Sequence, residues 1–301
     1  MSNRNPGYNY ELVVALALAR VFEVDESVVL VEINNRNDHY EIKKFTDQLV
    51  NVFDFRKILA HSGQEVTGIT LTSQIDDVGP SDCILQIDDC GETVSLGVST
   101  KFKTNVCRNP TGRDFLSAEQ IEKLREMLKN FICDYKKQME SLYGNLCFKA
   151  DGHHTNWYRK KSNLTTDYIN IIINLVCDNW NNDNTTIPRE RLARRLVHLD
   201  VEHGIPYVVI KIDGSREKPF VKLIDNSHGQ KMLLNVKNVE LKPLLSKSFR
   251  PTQYVGFYRV GSAEPFARMQ VKFNNGMLEF RNHEVSVGDP ISSWNFEFLH
   301  I

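Results

Sequence analysis

Residues 79–101 read GPSDCILQIDDCGETVSLGVSTK, and this stretch predicts a β-hairpin. Residues 83–87 are apolar except for Gln86, and apolar residues alternate with polar ones through 94–102, which is typical of β-strands. The segment 88–92 between them is polar and contains a glycine, as tight turns do. We therefore expect two antiparallel strands.

The hairpin brings an acid and a lysine to the same end of the strand pair. Asp82 opens the first strand and Lys101 lies near the end of the second. Alternate strand residues share a face, so one set is expected to face the core and the other the opposite side. The core set is Leu96, Val98 and Thr100, and the other set is Gly97, Ser99 and Lys101. A carboxylate beside a lysine suits phosphodiester hydrolysis, in which oxygen ligands hold Mg²⁺ and the ammonium orients the attacking water.

Helices and strands are predicted on both sides of the hairpin. Residues 10–22 are apolar almost all round, which indicates a buried helix with Glu11 at its start. A second helix is expected over 45–61 and a strand over 66–72. Beyond the hairpin, Ser117 and Gln120 form a capping box that opens a helix with a periodic apolar face. Further helices are expected over 165–180 and from Pro188 to about residue 199.

The remaining sequence is strand-like and punctuated by Gly, Pro and Asn. The predicted strands cover residues 207–212, 220–224, 254–260, 266–273, 277–281 and 294–299. The resulting fold class is α/β, with a central mixed β-sheet flanked by helices and a β-rich C-terminal half. We expect a core domain over residues 1–150, and a helical then β-rich region over 151–301 packed on it.

The composition of the chain argues against several classes of protein. The 301 residues are 41% hydrophobic and 25% charged, as in a globular protein, and no apolar run reaches the roughly 18 residues of a membrane span. Six scattered cysteines favour reduced thiols and a cytoplasmic location. The formal net charge of -1 excludes a global basic field, so any nucleic-acid site must be a local basic surface. Neither a phosphate-cradling loop nor a dinucleotide fingerprint is present, which argues against nucleotide-driven chemistry.

The hairpin resembles the PD-(D/E)XK nuclease superfamily, which includes many type II restriction endonucleases. That signature is Pro-Asp, a variable gap, then Asp or Glu, any residue and Lys on a β-hairpin. Here it reads Pro80-Ser81-Asp82 and Ser99-Thr100-Lys101, so one residue separates the proline from the acid and a serine replaces the second acid. The segment Tyr8-Asn9-Tyr10-Glu11 is similar to the aromatic-x-x-Glu opening of many such nucleases.

The resemblance implies a restriction-endonuclease-like fold and a set of site residues. Asp82 would bind Mg²⁺ and Lys101 would orient the water, with Ser99 as a weak neighbour. The missing carboxylate would come from Asp114 or Glu119, with Glu119 slightly favoured, and Glu11 would reach toward the metal. An acid at the start of a helix has an alternative role, because it complements the helix dipole.

The resemblance also implies the substrate and the partners. The chain would be a sequence-specific, Mg²⁺-dependent endonuclease acting on double-stranded DNA as a two-fold symmetric homodimer. A cognate DNA methyltransferase would protect the host. Phosphate contacts would come from Lys103, Arg108 and Arg113. Candidates for reading base edges are Arg159, Lys160, Arg250, Gln253, Arg259 and Arg268.

Two alternatives remain open. Ser99 in place of an acid is also typical of a noncatalytic DNA-binding or interaction module on a degenerate nuclease fold. A repair or recombination nuclease with looser sequence preference would share the same site. Metal dependence separates the first alternative from a nuclease, and discrete cutting of plasmid DNA separates the second.

Overall fold

A computed structural model describes residues 6–72, 81–104, 106–143, 148–149, 164–197, 205–215, 218–224, 227–244, 252–274 and 278–299. The chain divides into two compact units, the first formed by residues 1–105 with 198–226 and the second by 106–197 with 227–301. This division differs from the expected boundary near residue 150. The reason is that two strands from the second half of the chain belong to the sheet of the first unit: residues 207–214 pair with the hairpin, and residues 219–224 pair with residues 207–214.

The described residues contain seven α-helices and thirteen strands, numbered here in chain order. The helices are α1 Pro6–Val21, α2 Ser27–Asn34, α3 His39–Val52, α4 Ala118–Tyr143, α5 Leu164–Asn181, α6 Arg189–Leu196 and α7 Ser227–Leu234. The strands are β1 Gln64–Leu71, β2 Cys83–Asp89, β3 Glu92–Phe102, β4 Val106–Arg108, β5 Phe148–Lys149, β6 Tyr207–Gly214, β7 Pro219–Ile224, β8 Val239–Leu244, β9 Thr252–Arg259, β10 Pro265–Lys272, β11 Leu278–Arg281, β12 Glu284–Val287 and β13 Asn295–Phe298. The fold is therefore α/β.

The first unit is built on a mixed five-stranded sheet in the order β1-β2-β3-β6-β7. The predicted hairpin is confirmed, because β2 and β3 pair antiparallel from Cys83 opposite Val98 to Asp89 opposite Glu92. Cys90 and Gly91 close the turn with φ of 56° and 90°, the left-handed conformation that two-residue hairpin turns require. β3 and β6 pair parallel, and the other neighbours in this sheet are antiparallel.

Helices α1, α2 and α3 form a hydrophobic core with one face of this sheet. Residues 12–19 of α1 are all at most 2% exposed, as the prediction of a buried helix requires. The same core contains Val98 and Leu96, together with Ile210 of β6. The alternation in β3 therefore directs the expected apolar set toward the helices. Ser99 on the opposite face is also fully buried.

The second unit contains a five-stranded sheet in the order β4-β13-β10-β9-β8 and a three-stranded sheet in the order β12-β11-β5. Its core combines these strands with α4 and α5. The predicted capping box is confirmed, because the Gln120 N–H donates to Ser117 Oγ at 3.2 Å and the Ser117 N–H donates to Gln120 Oε1 at 2.9 Å. Asn179 of α5 binds both the Gln120 side chain and the Phe115 carbonyl.

Several element boundaries differ from those expected. The helix predicted over 45–61 begins at His39 and ends at Val52, because the chain turns extended at Phe53 and continues as a short 3₁₀ helix, Phe55–Ile58. β8 was not predicted, since it contains Pro243. The proline is tolerated there because β8 is the last strand of its sheet. Among the described residues, none of the helices combines the length and the hydropathy needed to cross a membrane.

Candidate active site

Asp82 is fixed between two strands at the beginning of β2. Its N–H donates to the Val98 carbonyl at 2.8 Å, and its own carbonyl accepts hydrogen bonds from the N–H and the hydroxyl of Thr72. The carboxylate accepts the N–H of Thr100 in β3. Backbone and side chain are thus held together, which gives the carboxylate a defined position beside β3.

Charged groups from α1, β2 and β3 interact at this point. Burial raises the pKa of Asp82 to about 6, although the Thr100 N–H and the Lys101 ammonium each lower it. Burial, and then the Asp82 carboxylate, raise the pKa of Glu11 to about 7, and Lys101 opposes that rise. The buried Cys83 thiol also has a raised pKa, first through burial and then through Asp82 and Glu11. Glu11, Asp82 and Lys101 therefore form one electrostatically coupled group.

Three hydroxyl groups close to these residues are buried and have no hydrogen-bond partner within the described part of the chain. They belong to Ser81, Ser99 and Thr100. Ser81 lies next to Asp82 in the chain, and its Oγ is 1.9 Å from where a Cβ on Gly97 would lie, so only glycine fits at that position. An unsatisfied buried hydroxyl costs stability unless another group satisfies it. Each of these hydroxyl groups therefore has unused hydrogen-bonding capacity close to Asp82 or Lys101.

The donor set fits Mg²⁺. This ion prefers oxygen ligands and is usually bound by one or two carboxylates, with waters and substrate phosphates completing its shell. Glu11 and Asp82 supply two carboxylates whose mutual repulsion a divalent cation would relieve. Among the described residues no group of three or more His, Cys, Asp or Glu side chains could hold a metal, so an all-protein cage is not present there.

Asp114 and Glu119, the expected replacement ligands, lie in the second unit. The Asp114 carboxylate accepts hydrogen bonds from the N–H and hydroxyl of Thr111 and lies 3.2 Å from Arg195. Glu119 is exposed in the first turn of α4. Their assignment as metal ligands stays a prediction, and the bonds to Asp114 give its carboxylate a local structural role.

The described residues include part of the expected DNA contacts. Lys103 is exposed just after β3, with a φ of 53°, and Arg113 is exposed on the 3₁₀ helix Gly112–Asp114. Arg108 belongs to β4, and its side chain lies outside the described residues. The segments that contain Pro80, Arg159, Lys160 and Arg250 also lie outside them.

The candidates for base reading on β9 and β10 differ in accessibility. Arg259 is exposed at the end of β9, whereas Gln253 is only 5% exposed, which leaves little of its amide for a base edge. Arg268 lies 4.8 Å from the ring centre of Tyr254 and its Nε lies 2.6 Å from Glu297, so its charge already has a partner.

Sequence reasoning did not find the neighbours of Lys101 on the sheet. In β6, Lys211 stands in register with Lys101, and in β7, Lys222 stands in register with Lys211. The alternation of polar and apolar residues in β6 was a usable signal that Lys211 points away from the apolar core. Nothing local to the sequence indicated that β6 lies beside β3.

No protein-family model matches this chain, and a comparison with curated proteins finds no match either.

Proposed function

We propose that the chain is a Mg²⁺-dependent endonuclease of the type II restriction class, with a restriction-endonuclease-like first unit, acting on double-stranded DNA. The observation that carries the proposal is the coupling of Glu11, Asp82 and Lys101, which come from a buried helix and the two strands of a hairpin. The order of these elements in the chain agrees with the resemblance of the hairpin to the PD-(D/E)XK superfamily.

Asp82, Glu11 and Lys101 would have different roles in the reaction. Asp82 and Glu11 would hold the cation, because the Asp114 carboxylate is already bound by Thr111 and Arg195. When bound, Mg²⁺ acidifies a coordinated water and neutralises charge on the phosphate. Lys101 would donate a hydrogen bond that orients the attacking water and stabilises charge on the phosphoryl oxygens. A bond forms between phosphorus and the water oxygen, one ester P–O bond breaks, and the leaving oxygen takes up a proton.

The direct test is cleavage of unmethylated plasmid and phage DNA by the purified chain, with Mg²⁺ or with EDTA. Asp82→Asn and Lys101→Ala should each abolish cutting, and Glu65→Gln, an exposed change in β1, should leave it intact. Discrete bands that require Mg²⁺ support sequence-specific cleavage, whereas a smear with the same dependence supports a less specific nuclease. Folded protein that cuts none of several DNAs contradicts the proposal and favours a noncatalytic binding module.

Two further variants identify the second metal ligand. Glu11→Gln should abolish cutting if Glu11 holds the cation, and Glu119→Gln should do so if the replacement acid comes from α4. We expect the first outcome, because Glu11 and Asp82 are electrostatically coupled.

Metal binding has a readout that does not depend on activity. Without DNA, Mg²⁺ should raise the melting temperature of the wild-type chain, because a ligand that binds only the folded state stabilises it. The increase should be larger at pH 8 than at pH 5.5, since the pKa values of Asp82 and Glu11 are about 6 and about 7 and the ion binds the ionised carboxylates. Asp82→Asn should show a much smaller increase.

A further inference from the structure

Three lysines stand in register across the first unit's sheet, and we call them the lysine row. Lys101 of β3 is paired with Lys211 of β6, and Lys211 is paired with Lys222 of β7. Registered partners on neighbouring strands point to the same face, and neighbouring strands are about 4.8 Å apart. The row therefore begins at the candidate active site and continues toward β7, the last strand of the sheet.

The three lysines differ in their electrostatic surroundings, because Lys101 interacts with Asp82 and Glu11 whereas Lys211 has a direct ion-pair partner. Lys211 Nζ lies 3.0 Å from the Asp213 carboxylate, and that lysine side chain is only 12% exposed. Within the described part of the chain, no carboxylate lies within ion-pair distance of Lys101 or Lys222. Like charges placed directly opposite one another destabilise a sheet. A polyanion bound along the row would remove that repulsion.

An exposed aromatic side chain lies on the same face as the row. Phe220 of β7 is paired with Asp213, two residues beyond Lys211, and is 59% exposed. Lys222 follows on the same face of the same strand, because alternate strand residues share a face. Proteins bind nucleic-acid strands with this combination of lysines and an exposed aromatic ring. The phosphates pair with the ammonium groups, and bases or sugars pack on the ring.

We propose that the lysine row and Phe220 bind the backbone of the nucleic-acid strand next to the phosphate that is cut. Lys222 contacts a phosphate beyond Lys101, and its flexible four-carbon stem adjusts to the phosphate spacing. Lys211 is held by Asp213 and adds charge to the row without a direct contact. Phe220 packs against a base or sugar of that strand. This inference rests on the proposed function, because Lys101 belongs both to the row and to the candidate active site.

The test is binding of a fluorescent DNA duplex in EDTA, where the metal-dependent reaction does not proceed, over a series of salt concentrations. Lys222→Gln should reduce the slope of log affinity against log salt by about 0.9, the loss of one phosphate contact. On a single-stranded oligonucleotide of the same length, Phe220→Ala should weaken binding about five-fold or more and leave the slope unchanged. Lys44→Gln is the matched control, because Lys44 is exposed on α3, among the helices that cover the other face of the sheet. Thermal melts should show that all three variants remain folded.

The outcomes separate the row from the nuclease activity. A salt slope that is the same in Lys222→Gln and in wild type overturns the row, and if wild type still cuts plasmid the proposed function stands without it. If Lys222→Gln reduces the slope but the wild type cuts no DNA, the result supports the row and contradicts the nuclease. A wild type that neither binds nor cuts DNA overturns both.

Discussion

The Asp82 carboxylate accepts a hydrogen bond that favours its charged form, but it is buried, and burial opposes that charge. The net effect raises its pKa to about 6, so burial outweighs the Thr100 N–H and Lys101 together. Because Asp82 is ionised at neutral pH while it is buried, it reduces the stability of the folded protein there. Strongly perturbed carboxylates of this kind are concentrated at functional sites, where a cation or a reaction uses the charge.

Replacement of Asp82 by asparagine should therefore stabilise the metal-free protein at pH 8. The folded-state pKa of about 6 lies above the ordinary 3.8, so the folded protein retains a proton between these values and loses relative stability as pH rises toward 6. Asparagine carries no charge and still offers an oxygen to the Thr100 N–H. We expect a gain of up to about 3 kcal/mol at pH 8, shrinking toward zero near pH 4.

Urea denaturation in EDTA at pH 4.5 and pH 8 measures this difference. Glu65→Gln, an exposed change in the same sheet, should show no comparable dependence on pH. A loss of stability in Asp82→Asn at pH 8 would mean that the Thr100 hydrogen bond and Lys101 outweigh burial.

The sequence predicted part of the candidate site because that part is local. Asp82 and Lys101 belong to one hairpin, and strand alternation with antiparallel pairing is enough to bring them to the same end. Lys211 and Lys222 could not be predicted as neighbours of Lys101, because their positions depend on a parallel pairing between distant segments. The raised pKa values could not be predicted either, since they result from burial in three dimensions.

Strand β3 requires a glycine at position 97, because that position lies against Ser81, just before β2 begins. A Cβ on Gly97 would lie 1.9 Å from Ser81 Oγ, 2.9 Å from Ser81 Cβ and 3.1 Å from Tyr207 Cβ. Gly97→Ala should therefore destabilise the protein by about 1–3 kcal/mol, as overpacking does. Denaturant unfolding gives the value, and Ser81→Ala in the same chain should recover only part of it because the Cβ contact remains.

The matched control for this change is Gly68→Ala in β1. There the nearest heavy atom to an added Cβ is Gln86 Cβ at 3.9 Å, an ordinary contact. Equal losses in the two variants would show that strand conformation, rather than the contact with Ser81, limits position 97.

Asn179 joins α5 to the beginning of α4 in the second unit. Its amide nitrogen donates to the Phe115 carbonyl at 2.8 Å and to the Gln120 side chain at 2.7 Å, and the residue is 6% exposed. Asn179→Ala would leave buried polar groups unsatisfied and should cost about 1–3 kcal/mol in denaturant unfolding. Asn174→Ala, at an exposed position of the same helix, should cost less than about 0.5 kcal/mol.

Elements with strong local signals were predicted and those without them were not. The capping box at Ser117 and the turn at residues 88–92 each determine a boundary by their own chemistry. Helix α2 has only eight residues and no side-chain cap, so the sequence contained no capping signal that would have predicted it. β5 and β12 are two and four residues long, too short for alternation to be recognised.

For the whole molecule, the resemblance implies a homodimer on DNA. A palindromic site presents two equivalent half-sites, and a two-fold symmetric protein places one active site on each strand. Light scattering should therefore show a complex of two chains per cleavable duplex. A single chain per duplex, with one strand cut at a time, would contradict the dimer.

The pairing of β3 with β6 makes the first unit discontinuous, because residues 106–197 lie between its two parts. The ribosome synthesises the chain from the amino end, so β3 leaves the exit tunnel before its partner strand β6 has been synthesised. At about 5–20 residues per second, that interval lasts roughly 5–20 s. During it the nascent chain exposes an unpaired strand edge of the kind that recruits other strands. The nascent chain is therefore prone to aggregation until β6 emerges and pairs with β3.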